Sequence, residues 1–202
     1  VEEAQAGDIV AIAGIEPVKI GETIADINQP IALPTIKVDE PTVKMNFAVN
    51  TSPFAGTEGE FSTARHLKAR LEKEILNDVA LKLESVGGSD SSYIVSGRGE
   101  LHLEILIEKM RREGYEFQVG KPQVIYKEEN NRRLEPFEDV YIECPENVAG
   151  TVIEKMGRRR GELKDMRVDK SISFMHWLVT TRGLIGFQTK FLTLPGCFPA
   201  PP

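Results

Sequence analysis

The apolar positions of residues 95–119 change period in the middle of the segment. Leu103, Leu106, Ile107 and Met110 fall at i, i+3, i+4 and i+7, which predicts one apolar face of an amphipathic helix. Gly114 supplies the residue type that ends helices in a left-handed conformation. Tyr115, Phe117 and Val119 then alternate with polar residues, as in a half-buried strand. The segment therefore predicts a helix followed by a strand.

The preceding residues supply the other elements of the same unit. Alternation from Val43 to Val49 predicts a strand, and a polar loop follows from Asn50 to Gly59. Ser62 is the expected N-cap of a helix that ends near Val79. Residues 81–95 predict a hairpin around the glycine-rich turn at 87–92. The order β-α-β-β-α-β is the split βαβ arrangement, with two helices on one face of an antiparallel sheet.

The same order begins again after Glu129. Alternation at 140–144 predicts a strand, and the stripe at 149–156 predicts a helix that starts at Pro145 and stops at Gly157. Two strands, 162–168 and 171–180, and one helix at 183–192 follow. The sixth element is absent, because a proline-rich run at 195–202 can neither continue a helix nor pair in a sheet.

The N-terminal residues predict a different structure. Asp8–Gly14 and Gly21–Asp26 are short β-branched runs bounded by glycine, which are typical of a small barrel. Three prolines between Gln29 and Pro41 indicate a linker, with a domain boundary near Thr35. The predicted fold class is α+β: the end of a β-barrel domain, then two ferredoxin-like two-layer sandwiches, the second without its last strand.

Composition limits the possible functions. The chain has 202 residues, 41% of them hydrophobic, and no apolar run that approaches the roughly 20 residues of a membrane helix. Cys144 and Cys197 are isolated, which favours a soluble protein of the reducing cytoplasm with no membrane partner. The net charge of −6 argues against coating nucleic acid by bulk electrostatics, so any such contact must be local.

The densest basic cluster follows the predicted helix of the second unit. Three consecutive arginines exceed what interaction with one helix terminus requires, and arginine forks suit phosphate. We predict contact with RNA phosphates at Lys155, Arg158, Arg159, Arg160 and Lys164.

Other candidate sites have structural interpretations. Arg111 and Arg112 lie within reach of Glu108, so helix salt bridges are favoured. The loop from Phe54 to Phe61 is a further candidate, because long loops in compact domains are often functional. No catalytic, cofactor-binding or metal-binding residue is predicted: His66, His102 and His176 lack metal-ligand spacing. The glycines of Gly97-Arg-Gly99 are expected to set a strand-to-helix turn that needs unusual φ angles.

Several motifs together resemble one family. They are Val38-Asp-Glu-Pro-Thr42, Val49-Asn-Thr-Ser-Pro-Phe54, Ser96-Gly-Arg-Gly-Glu-Leu-His-Leu103, Met110-Arg-Arg-Glu-Gly114 and Thr181-Arg-Gly-Leu-Ile-Gly-Phe187. In this combination they are similar to the BipA/TypA family of ribosome-binding translational GTPases. The resemblance implies the end of the barrel domain at 1–34, a domain III-like sandwich at 35–127, a truncated domain V-like sandwich at 128–195 and a disordered tail at 196–202.

The resemblance also implies a role. No Gly-x-x-x-x-Gly-Lys-Ser/Thr motif occurs in the sequence, so this fragment is expected to be non-catalytic and to bind no cofactor. GTP and Mg²⁺ would belong to the GTPase domain of a longer parent that acts in translation, ribosome assembly or stress response. The implied partners are ribosomal RNA, large-subunit proteins and that GTPase domain.

Two other function classes stay open. Paired ferredoxin-like domains could form a free-standing regulatory module that binds a small ligand between them. An enzyme with its own active site is disfavoured, because no nucleophile, base and orienting group stand at recognisable spacing.

Overall fold

The computed structural model describes residues 3–15, 20–34, 39–88 and 90–192. The chain divides into two compact units, residues 1–38 and 39–202. In the first unit the described residues form no helix or strand, and all are exposed. The strands predicted at Asp8–Gly14 and Gly21–Asp26 are therefore wrong for this structure. Short β-branched runs form strands only when a neighbouring strand accepts their hydrogen bonds, and among the described residues none does. The barrel assignment stays a prediction, and the boundary near Thr35 and the tail at 196–202 lie outside the described residues.

The first sandwich has the predicted order of elements. β1 (Val43–Ala48), α1 (Ala64–Asn77), β2 (Lys82–Ser85), β3 (Ser92–Gly97), α2 (Glu100–Arg112) and β4 (Gln118–Val119) follow in turn, with a short β5 (Gln123–Val124). The sheet has the order β2-β3-β1-β4, with β5 also on β1, and all its pairs are antiparallel. This confirms the split βαβ prediction.

The core of the first sandwich lies between the sheet and both helices. Its fully buried members include residues at alternate positions of β1 and on the predicted helix stripes: Val43, Phe47, Leu71, Leu103 and Met110. Phe47 also stacks on Phe117, with 5.6 Å between ring centroids. The two periodicities in the sequence thus correspond to one apolar layer.

Some details of this sandwich differ from the predictions. The cap of α1 is Thr63, whose hydroxyl accepts from the His66 N–H at 3.4 Å, and not Ser62. Gly114 has φ +87°, as expected of a helix stop. The strand predicted at 115–119 shrinks to β4, because Tyr115 pairs with Phe61 in an isolated parallel bridge and their rings lie 4.9 Å apart.

A hairpin that the periodicity did not predict connects the two sandwiches. β6 (Lys127–Glu129) and β7 (Arg132–Leu134) pair antiparallel. The two turn residues, Asn130 and Asn131, have φ angles of 51° and 60°, as a type I′ turn requires. The hairpin spans the point, residues 127 and 128, where the sequence placed the domain boundary.

The second sandwich follows the hairpin. It contains β8 (Phe137–Pro145), α3 (Glu146–Arg158), β9 (Glu162–Asp169), β10 (Ile172–Thr180), α4 (Thr181–Leu184) and α5 (Phe187–Leu192). The sheet order is β8-β10-β9, antiparallel throughout, so within the described residues this sheet has three strands. Its core includes Val152, Met156, Met175, Trp177 and Val179. The α+β class and the ferredoxin-like sandwiches are confirmed.

Two helix predictions in this sandwich are wrong. Gly157 lies inside α3, which ends at Arg158, and Arg160 takes the left-handed conformation at φ +62°. The single helix predicted at 183–192 is two short helices. Gly186 separates them at φ +65°, a conformation that a continuing α-helix cannot contain.

Candidate nucleic-acid interface

The predicted basic cluster lies at one end of the second sandwich. Lys155 and Arg158 are on the last turn of α3, Arg159 and Arg160 form the turn that follows, and Lys164 is on β9. The turn is tight: a Cβ at Gly161 would lie 3.2 Å from both the Met156 carbonyl oxygen and the Trp177 ring. The backbone that carries these cations is therefore packed against the core.

Arg159 differs from its neighbours because its side chain turns inward. Its Nη1 donates to the carbonyl oxygens of Gly183 and of Ile185, the latter at 3.0 Å. Its guanidinium also lies 5.3 Å from the centroid of the Phe187 ring. These carbonyls lie at the end of α4, where the last carbonyl groups of a helix have no partner within it. Arg159 thus holds the break between α4 and α5, which does not favour a direct RNA contact for this residue.

Of the other four cations, Arg158, Arg160 and Lys164 are exposed and Lys155 is half-buried. Arg158 pairs with Glu154 at 2.6 Å across one helical turn, and Lys164 pairs with Glu162 at 2.7 Å. Lys155 and Arg160 form no ion pair with any described residue of their own unit, that is, with residues 39–88 or 90–192. Exposed pairs of this kind contribute little stability and can exchange partners, so the surface can present up to four positive charges.

Arg111 and Arg112 have the structural role that the sequence favoured. They contact Glu108 at 3.3 and 2.8 Å at the i+3 and i+4 positions of α2. This confirms the prediction of helix salt bridges.

A carboxylate orders the loop between Asn50 and Gly59. Glu116 accepts hydrogen bonds from the N–H groups of Gly56 at 2.8 Å, Glu58 at 3.0 Å and Gly59 at 3.2 Å, and from the Asn50 amide at 2.7 Å. These donors, chiefly the Gly56 N–H, lower the pKa of Glu116 to about 2. The sequence suggested a functional loop but not this carboxylate, whose position sixty residues away gives no local signal.

The three histidines lie on separate elements. His102 contacts Asp78 at 2.6 Å, His176 contacts Asp139 at 2.7 Å and stacks on Tyr141, and His66 packs edge-on against Phe61. Among the described residues, no group of three or more histidine, cysteine or acidic side chains is placed to hold a metal ion. Each ring therefore has a local structural partner.

The two glycines before α2 do not have the role that the sequence assigned to them. Neither has a positive φ, and Gly99, the N-cap of α2, is extended at φ −175°. A Cβ at Gly97 would lie 3.0 Å from the Leu103 side chain, whereas a Cβ at Gly99 would meet nothing within 4 Å. Close packing, and not an unusual backbone angle, therefore requires glycine at position 97.

No helix in the described part of the chain is both long and apolar enough to span a bilayer.

Comparison with known proteins gives a consistent set of matches. Residues 132–195 match the sequence family described as the elongation factor G C-terminus. A large ribosomal subunit assembly factor, BipA of Bacillus subtilis, is 49% identical over 96% of this chain and 32% of its own length. BipA of Synechocystis is 51% identical over 95% of this chain and 32% of its own length.

Further matches come from a plastid protein and a solved structure. The putative elongation factor TypA-like SVR3 of Arabidopsis thaliana, described as chloroplastic, is 50% identical over 95% of this chain and 29% of its own length. A crystal structure of a Thermus thermophilus protein superposes with a TM-score of 0.47 and 14% identity, covering 81% of this chain and 40% of that one. The chain spans about a third of the length of the curated relatives that it matches.

Proposed function

The chain belongs to the BipA/TypA family, and on that premise we propose that it is a ribosome-contacting part of a large-subunit assembly factor. Its mechanism is positioning: two rigid sandwiches hold basic surfaces against ribosomal RNA and large-subunit proteins. The observation that carries the proposal is the exposed cationic turn after α3, which is fixed to the core of the second sandwich.

The geometry supports phosphate contact at this turn. Arg160 lies beyond the end of α3 and has a left-handed backbone conformation. Arg158 and Lys155 lie on the last turn of that helix. Guanidinium groups present several N–H donors in a fork that matches phosphate oxygens. We assign the contact to Lys155, Arg158, Arg160 and Lys164, with Arg159 as the positioning residue that keeps α4 and α5 in place.

GTP hydrolysis is assigned to the longer protein. The sequence of this chain contains no phosphate loop, and the relatives are about three times as long. We propose that GTP, Mg²⁺ and the GTPase domain act elsewhere in the parent, and that these sandwiches supply ribosome affinity and orientation. Ribosome contact would place the protein in the cytoplasm or, in plants, in the plastid.

The experiment is sedimentation of the chain with purified large ribosomal subunits over a range of salt concentrations. We expect Arg158→Gln with Arg160→Gln to weaken binding and to lower the salt slope by about 2, because binding then releases roughly one counterion fewer for each arginine replaced. The matched control is Arg111→Gln with Arg112→Gln, which removes the same charge from α2. Equal affinities and salt slopes for the two double variants would contradict the proposal.

A second candidate rests on a cavity between the two sandwiches. It has a volume of about 500 Å³ and is lined by Val43 and Leu101 from one sandwich and by Tyr141, Phe187 and Phe191 from the other. The Thr181 hydroxyl, which borders it, is buried without a hydrogen-bond partner among the described residues. Cavities of this size hold small ligands, and four acidic residues also line this one: Glu100, Glu138, Asp139 and Glu143. Calorimetry with GTP separates the alternatives: GTP binding by this chain would favour the ligand-binding module over ribosome contact alone.

A further inference from the structure

A second group of cations shares none of its residues with the turn after α3. A cleft with a volume of about 590 Å³ is bounded by the outer face of the first sheet, the β6–β7 hairpin and α4. Three cations line it, one from each of these elements: Lys44 on β1, Arg133 on β7 and Arg182 on α4. The lining contains a single carboxylate, that of Glu128. The cleft therefore carries excess positive charge on a chain whose net charge is −6.

Two of these cations are held in place by neighbours. The Arg133 guanidinium lies 3.7 Å from the centroid of the Tyr126 ring, a cation–π contact that fixes its plane. Arg182 contacts Glu135 through Nε at 3.0 Å and Nη2 at 3.3 Å. Both side chains thus lose little further freedom when they bind an anion.

Lys44 is the least neutralised of the three. It is half-buried on β1 between two uncharged neighbours, Ser96 on β3 and Gln123 on β5. Within the described part of the chain its ammonium forms no ion pair. A half-buried cation without a counter-charge gains most from an external anion, because solvent screens it less than a fully exposed one.

The chemistry of the lining indicates which anion fits. Tyr126 is the aromatic ring of the cleft, and Arg133 covers its face. A nucleotide base stacks best on an aromatic ring, and Arg133 already covers a face of the Tyr126 ring. Phosphate oxygens need only the cations. Because these come from three elements, they can contact successive phosphate groups along a nucleic-acid strand.

We propose that this cleft binds the phosphodiester backbone of RNA, with Lys44, Arg133 and Arg182 as the contacting residues. This cleft would be a second RNA-binding surface in addition to the turn after α3. The inference deepens the proposed ribosome contact, but its test uses isolated RNA, so either can fail without the other.

The test is fluorescence anisotropy of a labelled short RNA duplex, titrated with the full chain at several salt concentrations. We expect Lys44→Gln with Arg133→Gln to weaken binding about tenfold or more at low salt and to lower the salt slope by about 2. The matched control, Arg111→Gln with Arg112→Gln, removes the same charge and should change affinity less than about twofold. Circular dichroism and Trp177 fluorescence verify that each variant is folded.

A charge-neutral variant separates orientation from charge. Tyr126→Leu removes the ring under Arg133 and keeps every cation, so we expect weaker RNA binding with an unchanged salt slope. Inorganic phosphate and guanosine monophosphate serve as competitors, and only weak competition at millimolar concentration is consistent with a backbone site.

Three results would overturn the inference. One is equal RNA binding by the cleft variant and the α2 control. Another is displacement of RNA by inorganic phosphate or by the nucleotide at the concentration of RNA phosphate. The third is loss of RNA binding only when Arg158 and Arg160 are replaced.

Discussion

Charged side chains have different partners in the two sandwiches. In the first sandwich Arg70 is buried and bonds both Glu74 at 2.6 Å and Glu113 at 2.9 Å, across α1 and α2. The hydrogen bond from Arg70 lowers the pKa of Glu113. In the second sandwich Arg159 bonds backbone carbonyls and its neighbours Arg158 and Arg160 project from the surface. The buried arginine of the first sandwich is thus held by carboxylates, whereas the partly buried arginine of the second is held by backbone carbonyls.

The two sheets also differ in where their first strand lies. In the first, β1 lies between β3 and the short strands β4 and β5. In the second, β8 is an edge strand within the described residues, and its outward side chains include Tyr141, which is 74% exposed and stacks on His176 at 4.5 Å. The first strand of each sandwich therefore has a different place among the described strands, central in one sheet and at an edge in the other.

The largest expected effect tests whether the sandwiches unfold together. Phe47→Ala deletes a fully buried ring from the first core, which should cost about 3–5 kcal/mol. Trp177 is the single tryptophan of the chain and lies in the second core. In urea titrations, circular dichroism should detect an early transition, whereas Trp177 fluorescence should shift less. Coincident shifts of both signals would show that the two cores unfold as one.

A smaller effect distinguishes two adjacent arginines. Arg159→Ala removes the donor to the Gly183 and Ile185 carbonyls, and we expect it to destabilise the second sandwich by about 2–3 kcal/mol. Arg158→Ala breaks only an exposed pair with Glu154 and should cost less than about 0.5 kcal/mol. Urea denaturation followed by Trp177 fluorescence measures both. Similar losses would mean that Arg159 does not hold the α4–α5 break.

Two glycines of the first sandwich make a closer comparison. Gly97→Ala places a Cβ 3.0 Å from Leu103 in a filled core, so we expect a loss of about 1–3 kcal/mol. Gly99→Ala meets nothing within 4 Å at an extended residue and should change stability by less than about 0.5 kcal/mol. Thermal denaturation of the two variants gives the answer. If Gly99→Ala were the more destabilising change, the need for glycine before α2 would come from backbone angles and not from close packing.

The smallest effect is confined to one loop. The folded pKa of Glu116 is about 2, below its ordinary 4.5. Its contribution to loop order is therefore complete above pH 4.5 and is lost as pH falls toward 2. Amide NMR signals of Gly56, Glu58 and Gly59 should titrate with a midpoint near pH 2, because the folded carboxyl is protonated there. Glu116→Gln should shift the same signals at neutral pH, whereas Glu72→Gln, at an exposed position of α1, should not. Unchanged signals in Glu116→Gln would contradict the role of this carboxylate.

Periodicity in the sequence predicted the secondary structure of residues 43–192 well. The stripe of α2 and the alternation of β1 both mark the side chains that are buried. Turn chemistry gave signals that periodicity overlooked: Asn130-Asn131 is typical of a type I′ turn, and Gly186 permits a left-handed break. These features are local and could have been predicted.

The sites were harder to predict, because they depend on distant pairings. Nothing near Arg159 in the sequence indicates that its partners are carbonyls 24 and 26 residues later. Arg158 to Arg160 form one basic run in the sequence, yet the left-handed turn separates them into surface and interior groups. The cleft brings together residues 44, 133 and 182, which no spacing rule connects.

One hydrogen bond couples the geometry of the two sandwiches. Glu100, at the start of α2, accepts from the N–H of Gly186 in the α4–α5 break at 2.6 Å. If the two sandwiches changed their relative angle, this bond would break and the Gly186 N–H would have to find water. Reorientation of the sandwiches and rearrangement of the α4–α5 break would then be a single event, and the Gly186 amide signal in NMR would report both.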